Sequence, residues 1–246
     1  MKRTAWIPCI GVLILLLAPA GYSLDVTTTM DVSDRAYFRY SNDATAARIH
    51  YGVTVSQALP ADLFLSLSAW NSIRADLAGG GTFLPEESDY AATVAYYGSL
   101  VSCGLTGTAF ASQGAVHELG AFLDVTPPLP LEIVALLLEL SVSSDFLGIY
   151  GELKIVPSVT MPWEVPVQFS LDATLEALAA GFRGTSVNGL AGLSLTPKVR
   201  VFLHNGASFS LCGGYFLSFS GEFAGYPSLQ LGVVIPSAVG QEPQEG

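Results

Sequence analysis

The sequence predicts an all-β chain: a single antiparallel up-and-down β-barrel of about twelve strands. Three observations predict it. Apolar and polar residues alternate with a period of two from end to end, as strands with two different faces require. The breaks between these runs are of two kinds, which themselves alternate along the chain. Finally, 50% of the residues are hydrophobic and only 13% charged, whereas ordinary soluble domains carry about 25% charged residues.

The N-terminus comes first and stands outside the fold. Met1-Lys2-Arg3 is a short basic start, Ile10 to Ala18 is apolar, and "APAGYS" offers small residues for cleavage after Ala20 or Ser23. This is the layout of a cleaved secretory signal peptide, assigned to 1–23. The apolar run falls well short of the ~20 residues of a spanning helix. Cleavage removes Lys2 and Arg3 and leaves a chain more acidic than the −11 of the full sequence. Such a charge balance argues against nucleic acid and against anionic lipid surfaces as partners.

The barrel domain is assigned to 24–236, and a polar disordered tail to 237–246. Strands are expected at about 26–40, 47–57, 61–71, 88–97, 100–111, 117–126, 130–142, 147–156, 165–177, 188–203, 207–217 and 227–235. In the second, Ile49, Tyr51, Val53 and Val55 oppose His50, Gly52, Thr54 and Ser56. In the third, Leu63, Leu65, Leu67 and Ala69 oppose Ser66 and Ser68. The fifth sets Val101, Cys103, Leu105 and Ala109 against Ser102, Gly104, Thr106 and Thr108. "LEIVALLLEL" is helical by composition, but Val134, Leu136, Leu138, Leu140 and Val142 fit one strand face, with Glu139 and Ser141 on the other. The eighth has Leu147, Ile149, Leu153 and Ile155 opposite Gly148, Tyr150, Glu152 and Lys154. "VPVQFSLDATLEA" alternates without a miss, with Val167, Phe169, Leu171 and Leu175 opposite Gln168, Ser170, Asp172 and Glu176. Near the end, Phe209, Leu211, Tyr215 and Leu217 oppose Ser208, Ser210, Cys212 and Ser218.

One set of breaks is apolar, proline-bearing or short: "QALPAD", "YGS", "TPPLPLE", "PSVTMPWEV" and "HNGA". Asn205-Gly206 in the last of these signals a two-residue hairpin. The other set is looser: "SNDATA", "NSIRADLAGGGTFLPEES", "SQGA", "GFRGTSVNG" and "SGEFAGYPS". An up-and-down meander with tight turns at one end and loops at the other has this rhythm, and an even strand count brings both termini to the same end.

Parity alone does not say which medium touches which face. In a soluble sandwich the polar faces meet bulk water and normally carry Lys, Glu, Arg and Gln, and the edge strands are blunted with charge. Here the polar faces are mostly Ser, Thr and Gly. A membrane barrel closes so that every backbone group is paired, turns its apolar face to lipid, and needs only a polar interior of limited bore. The chain resembles bacterial outer-membrane β-barrel proteins, porin-like ones in particular, though no motif names a subfamily. The resemblance rests on the export signal, the dyad repeats, and aromatics near strand ends: Tyr37, Phe38, Tyr40, Tyr90, Tyr96, Tyr97, Trp163, Phe219 and Tyr226. It departs from many such barrels in lacking a terminal aromatic residue, because the last strand is followed by a polar tail.

The resemblance implies a bacterial outer-membrane location, lipid as a partner, and passive passage of small solutes or ions. Strand parity aims Arg48, Glu118, Glu139, Glu152, Lys154, Asp172, Glu176, Lys198 and Arg200 inward as lumen-lining selectivity candidates. Open pore and filled lumen both remain open, since about twelve strands make a narrower bore than the 16–18 of general porins. No cofactor, metal-ligand spacing or catalytic constellation is expected. His204 with Ser208 lacks a carboxylate nearby, and His50 and His117 are isolated. Cys103 and Cys212 have opposite parity and are not expected to bridge. The triple glycine in "LAGGGTFLPEESDY" leads into proline and acids, which reads as an external loop. The alternatives are an outer-membrane barrel enzyme acting on lipid and a soluble secreted β-sandwich that binds a partner.

Overall fold

The computed structural model describes residues 24–33, 36–38, 41–43, 47–76, 82–110, 116–142, 147–179, 182, 186–219 and 226–239. The proposed signal segment 1–23 lies outside them. The strands are β1 (Leu24–Ser33), β2 (Ala36–Phe38), β3 (Ser41–Asp43), β4 (Ala47–Leu59), β5 (Leu63–Asp76), β6 (Thr82–Tyr97) and β7 (Val101–Phe110). They continue as β8 (Val116–Val125), β9 (Leu131–Val142), β10 (Leu147–Met161), β11 (Val167–Ala179), β12 (Gly189–Phe202), β13 (Ser208–Ser218) and β14 (Tyr226–Val239). β2 and β3 form a separate small hairpin. The other twelve form one antiparallel up-and-down sheet in which each strand pairs with its chain neighbours. β1 closes the sheet by pairing with β14 on one side and β4 on the other, in unbroken register from Leu24 to Ser33.

Closure removes the edges that a sandwich would expose and leaves each of the twelve barrel strands paired on both sides. The apolar parity faces outward around the circumference: Val53, Leu105, Leu153, Phe169, Leu171, Phe209, Leu211 and Leu231 are all exposed. Charged residues such as Arg48, Glu118 and Glu176 are buried on the other face. This polarity is the reverse of a soluble fold and rules out the sandwich alternative.

The two kinds of break sort to the two ends, as the meander requires. At the tight-turn end, Ala61 and Asp62 both take left-handed backbone angles (φ 64° and 56°) between the paired Leu59 and Leu63. The "HNGA" turn corrects the two-residue expectation. The Gly206 N–H donates to the Leu203 carbonyl (3.0 Å), and the Leu203 N–H donates to the Ala207 carbonyl (2.8 Å). The loop is therefore the three residues His204, Asn205 and Gly206, with Gly206 at φ +80° in the position where a three-residue hairpin needs a left-handed glycine. The Asn205 side chain accepts from the Ala207 N–H (3.1 Å), which uses the asparagine for the turn's backbone.

Four departures from the expected strands are local. The supposed loop around "TFLPEESDY" is mostly strand: β5 and β6 stay paired out to Asp76 and Thr82. Glu86 is the extra residue of a bulge there, and Pro85 lies beyond the last β6–β7 pair, Asp89 with Phe110, so its missing N–H costs no ladder bond on that side. In β9 the pairing skips Leu137 against both neighbours. Parity therefore flips at this bulge: Val134 and Leu136 share rows with the inward residues Lys154 and Glu152, while Leu138 and Leu140 share rows with outward residues. A single face for Val134 through Val142 is thus incorrect, although Glu139 keeps its inward row. In β12 the bulge residue is Ala191, fully buried. Finally, β14 runs to Val239, into the stretch assigned to the tail.

Candidate functional site: the barrel lumen

The inward faces of the twelve strands line the barrel interior, and the lining changes along the axis. In the tight-turn half, β4 to β7 present small hydroxyls that pair across neighbouring strands. Thr54 Oγ1 lies 2.9 Å from Ser68 Oγ, Ser66 Oγ donates to Ser56 Oγ at 3.3 Å, and Thr93 Oγ1 donates to Thr106 Oγ1 at 3.0 Å. These pairs satisfy the hydroxyls within the wall and keep it low. Farther round, β11 and β12 present charge: Lys198 Nζ is 3.7 Å from Asp172 Oδ2, and their side chains are 25% and 22% exposed. Two residues on, the Arg200 guanidinium lies 5.9 Å from the Phe202 ring centroid.

The loop half is packed. Tyr150, Leu178, Phe182, Val187, Ala191 and Phe216 form an apolar cluster inside the lumen. Phe182 and Val187 belong to the β11–β12 connection, so that connection folds inward onto the wall. The Phe182 and Tyr150 rings are 5.4 Å apart and tilted. Glycines make room for these rings: a Cβ at Gly148 would collide with the Phe182 backbone, and one at Gly192 with the Phe216 ring. Gly104 takes the Phe122 ring in the same manner, where an added Cβ would be 2.6 Å from Cε1.

Charges share this packed region. Glu176 is 2% exposed, Glu118 3% and Arg48 4%, and each is engaged by other groups of the chain. Glu152 accepts from the Tyr150 hydroxyl at 2.8 Å. His50 stacks on Trp70 with ring centroids 4.8 Å apart and only 12° between planes. Its Nε2 lies 4.0 Å from Asp31 Oδ1 and 3.4 Å from Ser33 Oγ, and Gln230 hydrogen-bonds Asp31. Buried ions held in this way stay in place only because their partners and hydrogen bonds are present.

The nine residues picked by parity thus divide. Arg48, Glu118 and Glu176 are buried in the packed half. Glu152 and Lys154 are half-buried beside it on β10. Asp172, Lys198 and Arg200 are reachable in the tight-turn half. Glu139 sits opposite Gly120 and Tyr150, in an inward row. Sequence reasoning missed Asp31, Arg74, Asp89 and Asp124, which share inward rows as well. Asp89 was hidden because the two faces of "DYAATVAYY" are both mostly Ala and Tyr, with Thr93 as the other polar residue on its own face. Arg74 lay beyond the expected strand end. Asp124 was legible, six residues along the same face from Glu118. His50, which looked isolated, has its neighbours on other strands.

His204 is exposed in its turn, and Ser208 is buried at the start of β13. Cys103 is exposed on the outer face and Cys212 buried within, both free thiols, as opposite parity requires. Among the described residues, no group of three His, Cys, Asp or Glu side chains gathers to hold a metal. Of the expected aromatic girdle, Tyr96, Trp163 and Phe219 are exposed. Tyr97 is also exposed, although it lies in the inward row of Ser102, and it meets Phe64 edge-on at 5.2 Å. The side chains of Tyr37, Phe38, Tyr40 and Tyr226 lie outside the described residues.

No protein-family model matches the chain, and no curated protein matches it in sequence. Among solved structures, an outer-membrane channel from Pseudomonas putida F1 is similar with a TM-score of 0.52 at 12% identity, over 89% of this chain and 97% of that one. The KdgM porin gives 0.48 at 8% identity, over 86% and 98%. The β domain of the Bordetella autotransporter BrkA gives 0.47 at 9% identity, over 87% and 98%. The first of these likenesses shows the fold, that of a bacterial outer-membrane β-barrel.

Proposed function

We propose that this barrel is a porin-like channel of a bacterial outer membrane, exported by a cleaved signal peptide, that passes small ions or solutes passively through a narrow charged lumen. The observation that carries the reading is the inverted polarity of a closed sheet. Large apolar side chains cover the outside, while Lys198, Asp172 and Arg200 remain partly accessible inside. Lipid satisfies the first face and lumenal water the second. Asp172, Lys198 and Arg200 are then the selectivity groups, while Arg48, Glu118 and Glu176 hold the waist together. Glu139, Glu152 and Lys154 border that waist.

A planar-bilayer recording of the purified protein tests the proposal. The expected result is small stepwise conductance, because the loop half constricts the path. A second reading, a barrel filled at one end that conducts nothing, is favoured by the Phe182 cluster. Protein that inserts and shows heat-modifiable gel mobility but never gives current steps would overturn the channel in favour of that reading. An enzyme acting on lipid finds no support in the placement of His204 and Ser208.

A further inference from the structure

We infer that Arg200 is the centre of an oxyanion-binding site on the lumen wall, built to take a carboxylate or phosphate group in the tight-turn half of the barrel. The inference deepens the channel reading by naming a ligand class for the same lumen, but it needs only that water and small solutes reach this half.

Pairing around Arg200 supplies the argument. Four charged residues share the inward rows of this wall: Asp172 on β11, Lys198 and Arg200 on β12, and Asp31 on β1. Three of them have opposite charges or donors of their own. Asp31 is held by Gln230 and faces His50 at 4.0 Å, and Asp172 faces Lys198 at 3.7 Å. Among the described residues, Arg200 has no carboxylate within salt-bridge distance. Its Nε lies buried without a hydrogen-bond acceptor, and its guanidinium is set over Phe202. A buried N–H without an acceptor costs free energy, and the rest of the guanidinium is half-buried and has no carboxylate to offset that cost. The accessible Nη end of the guanidinium is a planar fork, the geometry that two oxygens of one carboxylate or phosphate satisfy together.

The surroundings suit the same ligand. Lys198 stands two residues away on the same face of β12 and adds a second positive charge. Gln168 and Ser210 flank Arg200 in its own row, and Ser170 and Cys212 flank Lys198 in the next. Gln168 supplies a neutral donor without adding a competing anion, whereas the Ser210 hydroxyl already donates to the Gly232 carbonyl (3.5 Å). A chain with a net charge of −11 thus carries on this wall a cation with no carboxylate partner.

The test reads binding without a membrane. Full-length barrel in detergent, labelled with ¹⁵N-arginine, is titrated with sodium acetate and with sodium phosphate at constant ionic strength, and with chloride as the control. Arg200→Gln assigns the Nε–H signal. The expected result is a saturable shift of that signal with acetate or phosphate and none with chloride, and the stronger of the two names the oxyanion. Arg200→Lys should weaken binding about tenfold, because a point charge replaces the fork. Asp172→Asn should strengthen it by freeing Lys198. An Arg200 signal unmoved by both oxyanions would overturn the site, and so would full affinity in Arg200→Lys. Silence in a bilayer would remove the channel and leave this result standing, whereas a conducting barrel with an unresponsive Arg200 would remove the site alone.

Discussion

Phe182→Ala is the substitution that most directly separates a wall ornament from a structural closure. Phe182 is fully buried, and its backbone rests on Gly148 with no room for even a methyl between them. Replacing a packed phenylalanine by alanine costs about 3–5 kcal/mol, the lost transfer energy plus the cavity left behind. Here the cost falls on the docking of the β11–β12 connection, because the backbone ladder of the barrel does not pass through Phe182. Even about 3 kcal/mol shifts the docked-to-undocked ratio by about 10²-fold. The Phe219 N–H is a suitable reporter, since it donates to the Ala191 carbonyl (2.9 Å) beside the cluster. Hydrogen exchange of detergent-folded protein should show Phe219 and the amides near Val187 exchanging about 10²-fold faster, with β4 to β7 unchanged. In a bilayer the same variant should show larger or longer openings. Exchange within about twofold of the parent at these amides would refute the idea that Phe182 holds the connection in the lumen.

Leu105→Arg tests the lipid face: Leu105 is 61% exposed at mid-strand in β7, and a lipid-facing arginine near mid-bilayer costs about 2–4 kcal/mol. Folding yield into liposomes should drop sharply for Leu105→Arg and little for Leu105→Ala; equal yields would contradict an outward, lipid-bathed Leu105. A lipid-soluble maleimide should label Cys103 on the outer surface and spare the buried Cys212 in folded protein, and the reverse order would show that the parity is wrong. Glu176→Gln and Asp172→Asn should part company: removing one member of a buried, engaged charge set costs about 3–5 kcal/mol, whereas a partly exposed pair at 3.7 Å contributes about 1 kcal/mol or less. Urea unfolding should therefore register Glu176→Gln, and the bilayer reversal potential should register Asp172→Asn by a shift towards anions. A stability loss in Asp172→Asn as large as that in Glu176→Gln would show that the lumen is packed throughout.

The strand order and nearly every strand were legible because a period of two is a local signal and each hairpin joins neighbours in sequence. "VPVQFSLDATLEA" is the clearest case: Phe169 and Leu171 face out, and Asp172 and Glu176 face in, as read. Bulges were not legible, because one extra residue such as Leu137 or Ala191 changes parity without changing composition. The contacts of the lumen were legible only as a set of inward residues. Which of them meet depends on strands far apart in sequence, as with His50 on β4, Trp70 on β5 and Asp31 on β1. The inward fold of Phe182 was hidden for a different reason: "GFRGTSVNG" has the glycines of an ordinary surface loop, and the room for its phenylalanine is made by Gly148, on another strand.

Side-chain size explains why the two halves of one barrel are lined so differently. Strand count sets a nearly constant backbone bore, so the free cross-section depends on what each level inserts. On β5 the inward series runs Ser66, Ser68, Trp70, Ser72, Arg74 from the tight-turn end to the loop end. On β10 the same direction runs Ser158, Val156, Lys154, Glu152, Tyr150. Small hydroxyls give way to rings and long charged chains on opposite walls at once, and the β11–β12 connection adds Phe182 where the walls are already bulky. Glycine at 148 and 192 on that side follows from the crowding, since the Phe182 backbone at one and the Phe216 ring at the other take the space a Cβ would need. Charges in the crowded half must then be mutually satisfied, because water is displaced and an unpartnered ion would be costly. Arg200 lies where the series is still small, and its partial exposure lets a cation stand there without a carboxylate partner.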